Sequence, residues 1–269
     1  MDYAKSYIPQ EINRLFVQRL NINQLNLSSQ QKVLFFARSH INVIFTLMKL
    51  AITGASGKTG FRVAEEALSA GYEVRLITRK ESKIPDSIKG CERYELSDTN
   101  GVTLDYALKD CDSLVIATGA RPSIDLTGPA KVDYLNIQKQ IESCKRQKLK
   151  RIVLVSSLCA GKLIHPLNLF GLILIWKRFG EKSLQKSNLD WTVIRPGGLN
   201  ENEANLKNQN VLFSGEKTQE EGSIPRRLVA KACIEALKTK DSIKKIIEVT
   251  SSEDNPKTNM SKAIKTFSI

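Results

Sequence analysis

The hydrophobic and polar positions follow two alternating periods from residue 49 onward. Short apolar runs typical of buried strands alternate with segments whose apolar residues recur at helical spacing. Strands are predicted at 49–52, 72–78, 91–96, 113–117, 151–155, 191–195 and 245–249. Helices are predicted at 61–70, 102–108, 131–147, 170–186 and 225–237. This alternation predicts an α/β fold with a doubly wound parallel sheet in a single domain, and a ligand site over the carboxyl ends of the strands.

The predicted domain covers residues 48–250, and the flanking segments differ from it. Residues 1–47 show no strand or helix pattern of this fold, and the apolar stretch 32–48 is interrupted by Arg38 and His40, which makes it a poor membrane span. Three interpretations stay open: Met48 is the true start, or the segment is an amphipathic surface anchor, or it is a weak targeting peptide. Residues 251–269 form a polar tail that we expect to be frayed.

A glycine-rich loop lies between the first predicted strand and the first predicted helix. Its sequence GASGKTG contains Gly-Lys-Thr, but a phosphate-binding P-loop would need a glycine where Ile52 stands. Three glycines at three-residue steps fit a dinucleotide loop instead, since they allow a tight turn, a close backbone approach to pyrophosphate and helix–strand packing. The free N–H groups of the helix N-terminus would attract the phosphates. The predicted cofactor contacts are Gly54, Ser56, Gly57, Lys58, Thr59 and Gly60.

The end of the second predicted strand bears on which nicotinamide cofactor binds. An NAD site usually carries an acidic residue there for the ribose hydroxyls, whereas this chain has Thr78, Arg79 and Lys80. A guanidinium suits the 2′-phosphate of NADP(H), and Lys58 adds a second positive charge. We therefore predict NADP(H), with Asp98 after the third strand as a further contact near the adenine.

Composition narrows the classes of function only modestly. The chain has 269 residues, 41% of them hydrophobic, and a formal charge of +13. The basic residues are spread along the chain without a basic–aromatic cluster, so we expect no nucleic-acid partner. Five scattered cysteines without a C-x-x-C pair indicate neither a metal site nor a disulfide framework, and favour a reducing, cytoplasmic compartment.

Several motifs resemble the atypical short-chain dehydrogenase/reductases of the NAD(P)-binding, NmrA-like group. These are GASGKTG at 54–60, LVIATGA at 114–120, VLVSSL at 153–158 and the stretch 175–199. Residues 125–141 and 165–178 are similar to the dehydrogenase domain of a chloroplast envelope translocon component and its stand-alone photosynthetic relatives. The resemblance implies NADPH binding. It leaves open a redox-protein partner and peripheral membrane association in a photosynthetic cell.

The resemblance also carries site residues onto this chain. It places Ala117, Thr118 and Gly119, and the turn Pro196, Gly197 and Gly198, against the cofactor. The family's lysine of Y-x-x-x-K falls on Lys177, and its serine on Ser156 or Ser157. The tyrosine position is Ile173, which cannot donate a proton.

The missing tyrosine leaves three outcomes open. The acceptor could take its proton from water, as a flavin or a quinone-like molecule does. Another group, His165 or Tyr134, could replace the tyrosine. Alternatively, the protein is a catalytically quiet NADPH-sensing scaffold at a membrane. We expect an NADPH-dependent oxidoreductase of unknown substrate, with the helix 170–186 and the loop 200–221 framing its pocket.

Overall fold

The computed structural model describes residues 48–96, 101–120, 125–219 and 221–267. The strands are β1 (Lys49–Thr53), β2 (Glu73–Arg79), β3 (Glu92–Leu96), β4 (Ser113–Ile116), β5 (Arg151–Val155), β6 (Asp190–Pro196), β7 (Gly198–Asn200), β8 (Asn210–Ser214), β9 (Ser223–Pro225) and β10 (Lys245–Ser252). The helices are α1 (Gly60–Ser69), α2 (Gly101–Leu108), α3 (Asn136–Arg146), α4 (Ile173–Gln185), α5 (Arg226–Lys238) and α6 (Met260–Ile264). Two short turns, Gly128–Ala130 and the π-helical Lys131–Leu135, lead directly into α3.

Within these ranges, eight strands form one sheet in the order β3-β2-β1-β4-β5-β6-β10-β8. The strands from β3 to β10 pair in parallel, and β8 joins β10 antiparallel at one edge. The chain winds outward in one direction from β1 to β3 and in the other from β4 onward. The topological switch point therefore lies between β1 and β4, where such folds bind ligands. The predicted doubly wound α/β fold is confirmed.

Hydrophobic cores cover both faces of the sheet. Leu50 and Ile52 of β1 point to the face that packs against α1 and α5, while Ala51 points to the face covered by α2, α3 and α4. Neighbouring residues of one strand thus pack into opposite cores, which explains why the central strands are apolar throughout. The sheet is a rigid support for the loops at its carboxyl edge.

The predicted helix 170–186 begins later than expected. A 3₁₀ turn, Pro166–Phe170, precedes α4, and Gly171 and Leu172 both have left-handed backbones with φ of 80° and 58°. A side chain on Gly171 would collide with the Leu126 carbonyl. The prediction was wrong for 170–172, because helical spacing of apolar residues does not reveal a left-handed turn.

Two predictions about the C-terminal half also need correction. The loop 200–221 contains β8, which the sequence analysis missed because its residues are mixed in polarity. The tail is not frayed at 260–264, because Met260 is fully buried and α6 packs into the core. Asn259 caps this helix, and Glu235 of α5 accepts a hydrogen bond from the Met260 N–H at 2.6 Å.

Some predictions fall outside the described residues. The segment 1–47 and Asp98 belong to this part of the chain, so their assignments stay predictions. Across the residues that are described, we find no helix with the length and apolar character needed to cross a bilayer.

Candidate functional site

A cleft of about 900 Å³ opens at the carboxyl edge of the sheet. It collects residues from the glycine loop, from the ends of β4, β5 and β6, and from α4. The predicted site residues on its walls are Gly57, Lys58, Thr59, Ala117, Thr118, Gly119, Ser156, Ser157, Lys177, Pro196, Gly197 and Gly198. Segments far apart in sequence thus converge on one space, as a cofactor site requires.

The glycine loop forms a tight turn into α1. Gly54 has φ of 82°, and the Gly57 N–H donates to its carbonyl oxygen at 2.8 Å. Side chains at Gly54 or Gly60 would collide with backbone, at Ala117 and at Gly54 respectively. A Cβ on Gly57 would meet only the Gly54 carbonyl oxygen, at 3.1 Å. Gly54 and Gly60 are therefore required by the turn, whereas Gly57 keeps backbone open toward the cleft.

Two hydroxyl groups support a polar ligand in the cleft. The Oγ1 of Thr118 and the Oγ of Ser156 are buried, and neither has a hydrogen-bond partner among the described residues. Both residues line the cleft. Since buried hydroxyls are normally paired, a ligand with ribose and phosphate oxygens is a suitable partner for them. Together with the open backbone at Gly57, this donor set fits a dinucleotide.

Lys177 lies on α4, and its position is fixed by a residue that the sequence analysis missed. Its Nζ donates to Oδ1 of Asp133 at 2.9 Å, and the other oxygen of Asp133 accepts from the Ala120 N–H at 3.1 Å. Asp133 is 1% exposed and belongs to the π-helical turn before α3. Asp133 lies in the stretch 125–141 that carries the family resemblance, but the sequence analysis assigned it no role.

Ile173 occupies the position of the family's tyrosine and faces the same cleft as Lys177. It is 4% exposed, and its aliphatic side chain makes this wall of the cleft apolar. Tyr134 is no replacement for the tyrosine, because it is absent from the cleft walls and packs its ring against Trp176 and Phe179.

His165 does reach the cleft, from the 3₁₀ turn before α4. Its Nδ1 accepts a hydrogen bond from the Leu167 N–H at 3.2 Å. In the neutral ring the proton therefore lies on Nε2, where it is available for donation.

The basic residues predicted for a 2′-phosphate lie at separate places. Arg79 ends β2, is exposed, and is not one of the cleft residues. Lys58 pairs with Glu201, and this hydrogen bond lowers the pKa of the Glu201 carboxyl. Arg226, at the start of α5, lines the cleft and lies 3.8 Å from the same carboxylate. Glu201 and Arg226 were not predicted, and spacing alone carries no signal for them.

The model for the NAD(P)H-binding family matches residues 54–240, which begin at the glycine loop and end after α5. The chain belongs to the NAD(P)H-binding family. The resemblance inferred from the motifs is thereby confirmed, and the cleft opens at the edge of the sheet where folds of this kind bind ligands.

Relatives of this NAD(P)H-binding protein include plant, bacterial and yeast proteins. An uncharacterized chloroplastic protein of Arabidopsis thaliana is 34% identical over 78% of this chain and 79% of its own length. Protein TIC 62, chloroplastic, of Pisum sativum is 29% identical over 79% of this chain, but the match spans only 45% of the pea protein. Sanguinarine reductase of Eschscholzia californica is 29% identical over 76% of this chain and 89% of its length.

The fold has a solved counterpart. A structure from Bacillus halodurans, described as an NAD-dependent epimerase/dehydratase, superposes with a TM-score of 0.70 at 26% identity. The match covers 81% of this chain and 99% of that one. The NAD(P)H-binding protein thus has a Rossmann-type domain, and its homologues include a reductase.

A buried ionic network supports the turn Pro196–Gly198 of this NAD(P)H-binding protein. Arg195 pairs with Glu181 of α4 at 2.8 Å and with Glu248 of β10 at 3.5 Å. Burial alone would lower the pKa of Arg195, but the hydrogen bond and charge of Glu181, with two further glutamates, raise it. Glu248 also accepts three backbone N–H bonds from residues 217–219, so the loop beside the cleft is tied to the sheet.

Metal chemistry finds no support in the described residues. Within the four described ranges, no group of three or more His, Cys, Asp or Glu side chains could hold a metal ion. Cys144 and Cys233 are core residues, and burial raises the pKa of their thiols to about 12. Both are therefore poor nucleophiles.

Proposed function

We propose that the protein is an NADPH-dependent oxidoreductase whose acceptor takes its proton from water. One observation carries the proposal: the glycine loop, Lys177 and Ile173 face one cleft. This supports the cofactor half of a short-chain dehydrogenase site that lacks the tyrosine acid. Bound NADPH would supply a hydride. A flavin or a quinone-like acceptor can receive it as an anion and gain its proton from solvent.

Different residues of the cleft would contact different parts of the cofactor and the acceptor. The glycine loop and the N-terminus of α1 would bind pyrophosphate, because Gly57 lets the backbone approach it closely and the helix dipole favours negative charge. Lys177 keeps further N–H donors for the ribose of the nicotinamide, since only one is taken by Asp133. Ile173 and Leu174 give the reacting end an apolar wall, which suits a flat aromatic acceptor.

The preference for NADPH over NADH rests on charge. The exposed guanidinium of Arg79 ends β2, and Lys58, which pairs with Glu201, lies on the cleft wall. The chain offers no acid at the end of β2 to bind ribose hydroxyls. Charge-assisted bonds of this kind are about twice as strong as neutral ones. The net charge of +13 further favours a cofactor that carries additional negative charge.

The first test is a titration of the full chain with NADPH and with NADH, followed by nicotinamide fluorescence. We expect NADPH to bind at least tenfold more tightly, and Arg79→Gln to reduce that ratio. Lys150→Gln is the control, because it removes one exposed positive charge at the amino edge of the sheet, opposite the cleft. Equal or tighter binding of NADH would overturn the cofactor assignment.

The second test is turnover. Oxidation of NADPH should be measured at 340 nm with flavins and with quinones as acceptors, and Gly57→Asp should abolish it. Since sanguinarine reductase is a relative, its namesake substrate belongs in the same screen. Tight NADPH binding without oxidation by any acceptor would remove the oxidoreductase proposal while leaving the cofactor site standing.

A second candidate function is that of an NADP(H)-sensing scaffold at a membrane in a photosynthetic cell. The segment between β5 and α4 favours it, because Leu163, Ile164 and Leu169 are 73%, 100% and 80% exposed beside the mouth of the cleft. Two relatives that carry a chloroplastic designation agree with such a setting. Co-sedimentation with anionic vesicles that differs between NADP⁺ and NADPH would support this function. A redox-protein partner would appear instead as cofactor-dependent capture of that protein.

A further inference from the structure

We infer that Asp133 is a positioning residue for the cofactor: it holds Lys177 and the loop after β4 in the one arrangement that lets both contact the nicotinamide half. The inference rests on the proposed NADPH site. It concerns a residue outside the GASGKTG, VLVSSL and Y-x-x-x-K motifs from which the site was predicted.

The geometry joins two cleft elements through one carboxylate. Oδ1 of Asp133 accepts from Nζ of Lys177 at 2.9 Å, and Oδ2 accepts from the Ala120 N–H at 3.1 Å. Lys177 comes from α4, and Ala120 follows β4, so the two donors belong to different elements. Nζ also lies 3.4 Å from where a Cβ on Gly119 would stand, which means that the amine rests directly on this loop.

Burial makes the arrangement specific. Asp133 is 1% exposed and the Lys177 side chain 14% exposed, so water competes little for either group. A buried carboxylate must satisfy both oxygens, and here each oxygen has a donor from the cleft. The remaining N–H donors of Lys177 are left for a ligand, because Asp133 takes only one of three.

The backbone around Asp133 is adapted to this position. Residues Lys131–Leu135 form a π-helical turn, a local irregularity that is frequent at functional sites. Gly180 of α4 packs directly on the Asp133 carbonyl, and any side chain there would collide with it. The close approach of α4 to this turn brings Lys177 within reach of a side chain as short as aspartate.

Asp133→Asn is the sharpest probe, since it keeps the size of the side chain and removes one acceptor. Its amide would turn an N–H toward either Lys177 or the Ala120 N–H, so one of the two ties is lost. We expect the Kd for NADPH to rise about tenfold, the value of one charge-assisted hydrogen bond. The nicotinamide-free fragment adenosine 2′,5′-bisphosphate should bind with unchanged Kd, because it does not reach Lys177.

A double-mutant cycle tests whether Asp133 acts through Lys177. Lys177→Met alone should weaken NADPH binding, and Asp133→Asn should then add less than about twofold in the Lys177→Met background. A merely structural aspartate would weaken NADPH and the bisphosphate fragment alike, or add its full effect in both backgrounds. Either result, or unchanged NADPH affinity in Asp133→Asn, would overturn the inference.

The measurements also separate this inference from the proposed function. Absence of NADPH binding by the unmodified chain would contradict the proposed function itself. Normal binding by the unmodified chain and by Asp133→Asn would contradict only the role of Asp133. Circular dichroism melting of each variant, recorded first, identifies loss of fold, and Asp133→Glu provides a second variant that retains the charge.

Discussion

Ile173 lies one helical turn before Lys177 on α4, and both side chains line the same cleft. This spacing is that of the Tyr and Lys in a short-chain dehydrogenase. The fold has kept the lysine and its geometry, while an aliphatic side chain stands where a proton donor is expected. A single substitution can therefore test what the missing phenol means.

Ile173→Tyr is expected to create or raise carbonyl reduction by the protein. A phenol at this place would stand one turn from the ammonium of Lys177, and a positioned general acid contributes about 10²- to 10⁴-fold. The assay is NADPH oxidation with a panel of simple aldehydes and ketones. Since Ile173 is buried, we expect the upper part of that range only if the ring can be accommodated.

Ile173→Phe is the matched control, because it adds the ring without the hydroxyl. Equal carbonyl reduction by the Tyr and Phe variants would show that the phenol hydroxyl does not act as a general acid. The activity with flavin or quinone acceptors should not rise in the Tyr variant, since these acceptors need no acid from the protein.

Gly57→Asp is expected to remove NADPH binding while leaving the fold intact. A Cβ at this position meets only the Gly54 carbonyl oxygen, at 3.1 Å, so the turn can absorb it with a small shift. The new carboxylate, however, would face the phosphates at the N-terminus of α1. We expect at least a hundredfold loss of affinity, measured by nicotinamide fluorescence, with little change in the melting temperature.

Two glycines provide the controls for that variant. Gly90→Ala should change neither binding nor stability, because nothing lies within 4 Å of its Cβ position. Gly60→Ala should lower the melting temperature, since its side chain would collide with the Gly54 backbone. If Gly57→Asp melted as early as Gly60→Ala, its loss of binding would say nothing about the cofactor.

The sequence predicted the parts of the site that local patterns encode. Gly54, Gly57 and Gly60 were predicted as cofactor contacts because one strand–turn–helix unit holds all three at fixed spacing, and Gly57 lies on the cleft wall. Lys177 and Ile173 were found through a family motif within a single helix.

The tie between Asp133 and Lys177 was not predicted. It joins residues 44 positions apart through a π-helical turn. The pair of Lys58 and Glu201, 143 positions apart, was missed for the same reason. Such contacts depend on how elements pack, and a single sequence carries no periodic signal for that.

Gly180→Ala is expected to destabilise the protein although alanine favours helices. Helix propensity alone would stabilise an alanine by about 1 kcal/mol. At Gly180 the methyl group would press on the Asp133 carbonyl and on Ile137, which forces α4 away from the π-helical turn. We expect a net loss of about 1–3 kcal/mol in the free energy of unfolding, measured by urea denaturation.

Ser183→Ala, on the same helix, should change the free energy of unfolding little, since the Ser183 hydroxyl donates only to the Phe179 carbonyl of that helix. A stabilised Gly180→Ala variant would mean that α4 does not need this close approach. In that case the support for Asp133 described above would also weaken.

Glu235→Gln is expected to stabilise the protein at neutral pH and to lose this advantage in acid. Burial raises the pKa of the Glu235 carboxyl, although the hydrogen bond from the Met260 N–H opposes the shift. A raised folded-state pKa means that the folded protein binds this proton more tightly than the unfolded chain does. The stability that this bound proton of Glu235 contributes is therefore fully present below the unfolded pKa of about 4.3. It is lost as the pH rises through the folded pKa.

Glutamine keeps the acceptor for Met260 without the charge, so the variant should be more stable than the unmodified protein at pH 7 and should show almost no gain near pH 4. Urea denaturation at several pH values measures the difference, with Glu142→Gln on the exposed face of α3 as the control for loss of one charge. Glu235→Ala should be destabilised at both pH values, because it leaves the Met260 N–H at the start of α6 unpaired. A gain for glutamine that does not depend on pH would show that burial of the charge is not its cause.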